Sequence, residues 1–119
     1  MSVQDGESEF QKGQKPILYD FTAEWCGYCK KMKAEVFDDK AQAAWINQSF
    51  IPVVVMDRRQ ETGANPPEIA NLQSKYQIRG FPTLVVRYPG NDFKIEVGFS
   101  NRDNLLQFLH GALSNAGAK

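Results

Sequence analysis

Cys26 and Cys29 are the only cysteines in the chain, and only Gly27 and Tyr28 stand between them. The pair constrains the local fold strongly, because one helical turn opening at the first cysteine brings both sulfurs close enough to alternate between dithiol and disulfide. Half of a zinc site is the competing use. Zinc takes four protein ligands in a structural site, or three and a water in a catalytic one. His110 is the single histidine, far along the chain, and no second cysteine pair exists. No metal site and no cofactor beyond the cysteine pair itself are therefore expected. A purely structural crosslink is a poor use too, since the stabilisation grows with loop length and this loop is very short.

The 119 residues suit one domain with a real core. Fourteen basic and fourteen acidic side chains cancel, and no basic stripe is interleaved with aromatics, so a nucleic-acid partner is not expected. The longest apolar runs, such as 51–56, fall far short of the ~20 residues that cross a bilayer, and the start of the chain lacks a basic-then-apolar signal pattern. Direct membrane insertion is not expected. Residues 1–15, rich in Gln, Glu, Ser, Gly and Lys, read as a flexible, solvated segment; the domain is expected over 16–114 and a flexible tail over 115–119.

The run 16–22, Pro-Ile-Leu-Tyr-Asp-Phe-Thr, suggests a central strand buried on both faces, with Asp20 as the anomaly inside it. From 26 to 36 the pattern turns helical, which places Cys26 at a helix start. A second helix is expected over 38–50 and a second buried strand over 51–56. A long loop follows over 57–67, then a helix over 68–76. Strands over 83–88 and 93–97, joined by the turn 89–92, predict a β-hairpin whose second strand alternates apolar and charged residues as an antiparallel edge does. Ser100 and Asp103 fit a capping box for a last helix, with Leu105, Leu109 and Leu113 on one face. The order implies an α/β fold with a mixed sheet, parallel pairing plus an antiparallel edge, and helices on both faces.

Strand, Trp25-Cys26-Gly27-Tyr28-Cys29, helix, and later Arg79-Gly80-Phe81-Pro82-Thr83 entering a strand together resemble the thioredoxin superfamily over most of the chain. Asp20, six residues before the first cysteine, is part of the match. The resemblance implies the thioredoxin fold, with a central mixed β-sheet flanked by helices on both faces. It also implies a cis peptide before Pro82. Three departures stand out: Tyr28 replaces the proline of thioredoxin, Val53 stands where thioredoxin carries a lysine near the buried aspartate, and the connection 57–76 is longer. That connection and the segment 36–39 look more like the thioredoxin-like domains of DsbD-type periplasmic reductases and disulfide-isomerase-like proteins. Bacterial periplasm or cell envelope is accordingly favoured over cytoplasm.

A helix N-terminus stabilises a thiolate, so Cys26 is expected as the exposed nucleophile that forms a mixed disulfide and Cys29 as the sheltered thiol that resolves it. Asp20 is the candidate proton acceptor for Cys29, its acidity weakened by burial. Trp25, Gly27, Tyr28, Phe81 and Pro82 are the candidate substrate-binding residues, with backbone at Phe81 pairing an extended segment. Trp45 is expected in the core, and Lys30, Lys31 and Lys33 either as a solvated face or as an aid to the thiolate. The expected activity is thiol–disulfide oxidoreduction, reductase or isomerase-like, on protein thiols and disulfides with an upstream redox partner, by a monomer. Tyr28 in place of proline suggests a less reducing pair than that of thioredoxin. A non-catalytic peptide-binding module and a metal chaperone are the alternatives.

Overall fold

The computed structural model describes residues 1–13, 15–90 and 92–117. Its central strand, β1 (Ile17–Ala23), is buried along its length except at half-buried Asp20. That position is what an uninterrupted apolar run demands, since an edge strand would expose alternate residues. β1 pairs in parallel with β2 (Ile51–Asp57) and antiparallel with β3 (Thr83–Arg87), which pairs antiparallel with β4 (Phe93–Val97). The order is β2-β1-β3-β4. The sheet is mixed, as expected, but only β1–β2 is parallel: the antiparallel half begins in the middle of the sheet rather than at the hairpin.

The helices divide between the two faces. Leu18, Leu84 and Val86 look toward α2 (Gly27–Met32), its π-helical continuation (Lys33–Phe37), α3 (Lys40–Ser49) and the last helix, α6 (Arg102–Gly117). Met32, Val36, Ile46, Phe50, Leu105 and Leu109 fill that side. Ile17, Tyr19, Phe21, Val53, Val55 and Val85 look the other way, toward α1 (Val3–Lys12) and α5 (Pro67–Lys75). Each face buries several large aliphatic or aromatic side chains, each worth about 1.5–3 kcal/mol. Trp45 is half-buried against the first face and stacks on His110 at 4.2 Å between ring centroids.

Several expectations need correction. Most of the expected loose segment 1–15 is an ordered helix, residue 14 lying outside the described residues: Ser2 caps α1 through its hydroxyl, which accepts from Asp5 N at 3.1 Å, and Phe10 is buried. Val3, Gly6 and Phe10 share one face at helical spacing, and Arg87 lies over the Phe10 ring at 4.4 Å while pairing with Glu7 at 2.6 Å. The domain therefore begins before residue 16, and α6 runs on through residue 117; residues 118 and 119 of the expected tail lie outside the described residues. The 57–67 loop holds a short helix, α4 (Arg59–Thr62). The cap of α6 is Asn101, whose Oδ1 accepts from Asn104 N at 2.8 Å, while Ser100 Oγ accepts from the Asn104 side chain.

The long connection is tied down by one acid. Asp57, 2% exposed at the end of β2, accepts from Arg59 N and Nε, Asn65 Nδ2 and Gln73 Nε2. Burial opposes its ionisation, but the bonds from Gln73, the Arg59 amide and Asn65 outweigh it and hold the carboxyl below its ordinary range. These bonds join α4 and α5 to the end of β2.

Candidate active site

β1 delivers the chain to the end of the sheet, where Cys26 takes an extended conformation and caps α2. Its Sγ accepts a hydrogen bond from Cys29 N at 3.1 Å, so the first sulfur occupies the place that a capping serine or aspartate oxygen would fill. Cys26 and Cys29 are joined as a disulfide, with Cα atoms 5.3 Å apart. Both are 5% exposed. As whole residues the two are equally buried in the disulfide form; what distinguishes them is the cap position of Cys26, flanked by exposed Trp25, Gly27 and Tyr28.

The opposite wall of the site is the loop before β3. The Phe81–Pro82 peptide is cis, and Phe81 packs against the cluster of Ala23, Cys26 and Cys29. Its ring meets Trp25 edge-on at 5.9 Å. Pro82 is buried and its carbonyl accepts from Gly98 N at 2.8 Å, so that group is committed to the sheet. Trp25 and Tyr28, 51% and 65% exposed, form the apolar rim. A side chain at Gly27 would meet nothing within 4 Å, which leaves open space beside that residue between the two cysteines.

Asp20 lies on the face of β1 that carries α2, and together with Cys29, Thr22, Lys33, Val54 and Met56 it lines a cleft of about 340 Å³. Its Oδ1 is sealed from solvent without a hydrogen-bond partner among the described residues. Burial alone pushes the carboxyl up to about 7, because the charged form loses its hydration and gains no donor. Val53 also borders that cleft, but it packs in the cluster on the opposite face with Tyr19, and the register partner of Asp20 is Val54. Sequence inspection missed Val54, because only the strand register reveals it.

Lys33 pairs with Asp38 at 2.9 Å and Lys31 with Glu35 at 4.0 Å; both side chains are largely exposed, and Lys33 also borders the Asp20 cleft. Among the described residues, no group of three or more His, Cys, Asp or Glu side chains is arranged to hold a metal ion. The cysteine pair thus has no partners for tetrahedral coordination there. No described helix is long and apolar enough to cross a membrane.

A family model described as a thioredoxin-like domain matches residues 3–113. The thioredoxin of Acidithiobacillus ferridurans is 34% identical over 107 residues, covering 90% of this chain and 88% of that protein. A protein disulfide-isomerase of Ricinus communis is 34% identical over 94 residues, 78% of this chain but 18% of the longer protein. Among solved structures, a thioredoxin from Thermus thermophilus superposes with a TM-score of 0.79 at 21% identity, covering 98% of this chain and 88% of that one. The oxidised C-terminal domain of Neisseria meningitidis DsbD gives 0.70 at 22% identity, covering 92% and 90%. The features that suggested a DsbD-type domain do not separate this chain from thioredoxins in fold. With the disulfide at the head of α2, the cis-proline loop packed beside it and a family model spanning 3–113, the chain belongs to the thioredoxin-like family, and its chemistry is thiol–disulfide exchange at Cys26 and Cys29.

Proposed function

We propose that this chain is a reductase or isomerase of disulfides in other proteins, with Cys26 as the attacking and Cys29 as the resolving thiol. The observation that carries the assignment is the Cys29 amide aimed at Cys26 Sγ from the first turn of α2. When the disulfide opens, that donor and the helix start are placed to stabilise a thiolate on Cys26. The thiolate attacks one sulfur of a substrate disulfide, expels the other as a thiolate, and leaves a mixed disulfide. Cys29 then loses its proton to the Asp20 carboxylate, attacks Cys26 Sγ, and releases the second substrate sulfur as a thiolate. An upstream reductant returns the pair to the dithiol. Asp20 suits this step because a carboxyl near 7 both accepts and returns a proton at neutral pH.

Substrate docking falls to the rim of Trp25, Gly27, Tyr28, Phe81 and Pro82, which combines exposed aromatic surface with the open space over Gly27. An extended substrate segment lying along the Phe81–Pro82 loop would gain affinity from main-chain bonds with little side-chain selection. Each chain holds the whole site, so one copy is the catalytic unit. A bacterial envelope setting rests on the DsbD-like connection and the 36–39 segment, and cell fractionation tests it.

The test of the mechanism is trapping. A Cys29→Ser variant accumulates mixed disulfides through Cys26, whereas Cys26→Ser traps none. Insulin reduction by dithiothreitol accelerates with the wild-type protein. An unchanged insulin rate, or trapping through Cys29 instead, overturns the assignment. The equilibrium potential against glutathione then sets the direction, within the range of roughly −270 to −120 mV that dithiol proteins span.

A further inference from the structure

β4 is the outer strand of the described sheet, and its apolar side chains, on the same face as the core residue Val85, are left exposed. Phe93, Ile95 and Val97 are 46%, 41% and 73% exposed, while Lys94 and Glu96 between them are half-buried on the opposite face. That inverts the expected edge pattern. Phe93 meets the ring of buried Tyr76 at 5.0 Å.

The backbone of β4 is oriented by the two ends of the hairpin. Gly98 N–H donates to the Pro82 carbonyl and Tyr88 N–H to the Asp92 carbonyl. Because bonding directions alternate along an antiparallel ladder, the register Thr83↔Val97 to Arg87↔Phe93 turns the backbone groups of Lys94 and Glu96 toward β3. Those of Phe93, Ile95 and Val97 turn outward. The residues that expose apolar side chains therefore also present their N–H and C=O groups along the open edge.

Such an edge accepts an extended strand, and the residue order identifies which one. A second β4 laid antiparallel about a two-fold axis at Ile95 sets Ile95 opposite Ile95 of the second copy and Phe93 opposite its Val97. Every outward N–H then meets an outward carbonyl, and the apolar side chains join into one patch. On the other face, Lys94 of each copy falls opposite Glu96 of the other. The strand is complementary to itself in hydrogen bonding, apolar contact and charge. We propose that β4 is a self-association surface on which a second copy of this chain pairs antiparallel, centred on Ile95. On this proposal the chain associates where the sequence reading expects a monomer. Cys26, Cys29, Trp25 and Tyr28 lie outside the pairing strand, so the inference stands apart from the proposed redox role.

Analytical ultracentrifugation with charge variants tests it. The wild-type protein shows a monomer–dimer equilibrium below about 1 mM. Lys94→Glu and Glu96→Lys each set like charges face to face and raise the dissociation constant about tenfold or more. An equimolar mixture of the two variants restores opposite charges at both pairs and recovers the dimer as a heterodimer. Circular dichroism on each variant verifies that it is folded, and Ile95→Lys, with two lysines on the axis, abolishes association in a folded chain. A wild-type monomer at about 1 mM, or a variant mixture no more associated than its components, overturns the proposal. So does an edge that captures an extended peptide but not a second copy.

Discussion

Replacing Asp20 by asparagine should stabilise the oxidised protein at high pH and leave it nearly unchanged at low pH. The carboxyl titrates at 3.8 when unperturbed and at about 7 in the fold. Below about pH 4 both folded and unfolded forms hold the proton, and the residue contributes no pH dependence. Between about 4 and 7 the unfolded chain ionises while the folded one does not, so the folded state binds more protons and stability falls as pH rises. Above about 7 both are ionised and the penalty is complete, at about 4 kcal/mol. Asp20 is half-buried as a residue although its Oδ1 is sealed, and hydration at the open side of the cleft trims the figure to about 2–4 kcal/mol. Asparagine keeps the shape and removes the charge. Urea unfolding of both proteins from about pH 4 to pH 9 should show midpoints diverging by about 1–3 M across that window. Taking the difference cancels every other titrating group. Parallel profiles, with a gap that does not change with pH, would refute a carboxyl buried in this way.

The same variant should slow resolution of a preformed mixed disulfide by about a hundredfold at neutral pH in a single-turnover quench, if Asp20 takes the Cys29 proton; an unchanged rate removes that role. Asp57→Ala should cost about 2–4 kcal/mol at pH 7, because four donors lose one acceptor. With the carboxyl held below its ordinary range, that loss should fade as acid protonates it below about pH 4, which unfolding curves at acid and neutral pH would show. Gly6→Ala offers a test of sign. Helix propensity alone favours alanine by about 1 kcal/mol, but a Cβ there runs into Val53 Cγ2, so thermal unfolding should show a net loss of about 1–3 kcal/mol. A gain would mean that α1 does not rest on β2.

Local pattern was a good guide wherever one element's own residues decide its state. The strand 17–23, the hairpin and the amphipathic face of Leu105 and Leu109 follow from runs and periods that a short window contains. α1 escaped notice because polar residues dominate its composition, although Ser2 followed by Val3, Gly6 and Phe10 carried both a cap and a face. The cap of α6 moved by one residue because Ser100, Asn101 and Asp103 are all competent acceptors, and backbone geometry selected Asn101. Lys31 and Lys33 were ambiguous until Glu35 and Asp38 were seen beside them.

The residues by themselves determined the chemistry and the order of elements, since the spacing of Cys26 and Cys29 is covalent and strand or helix preference is local. Tertiary structure alone decided that Asp20 Oδ1 has no donor among the described residues, that Val54 rather than Val53 is its partner in the strand register, that Lys33 turns to Asp38, and that Phe93, Ile95 and Val97 are exposed. Those outcomes depend on burial and register, which are sums over elements far apart in the chain, and a sum of that kind has no signature in any one segment.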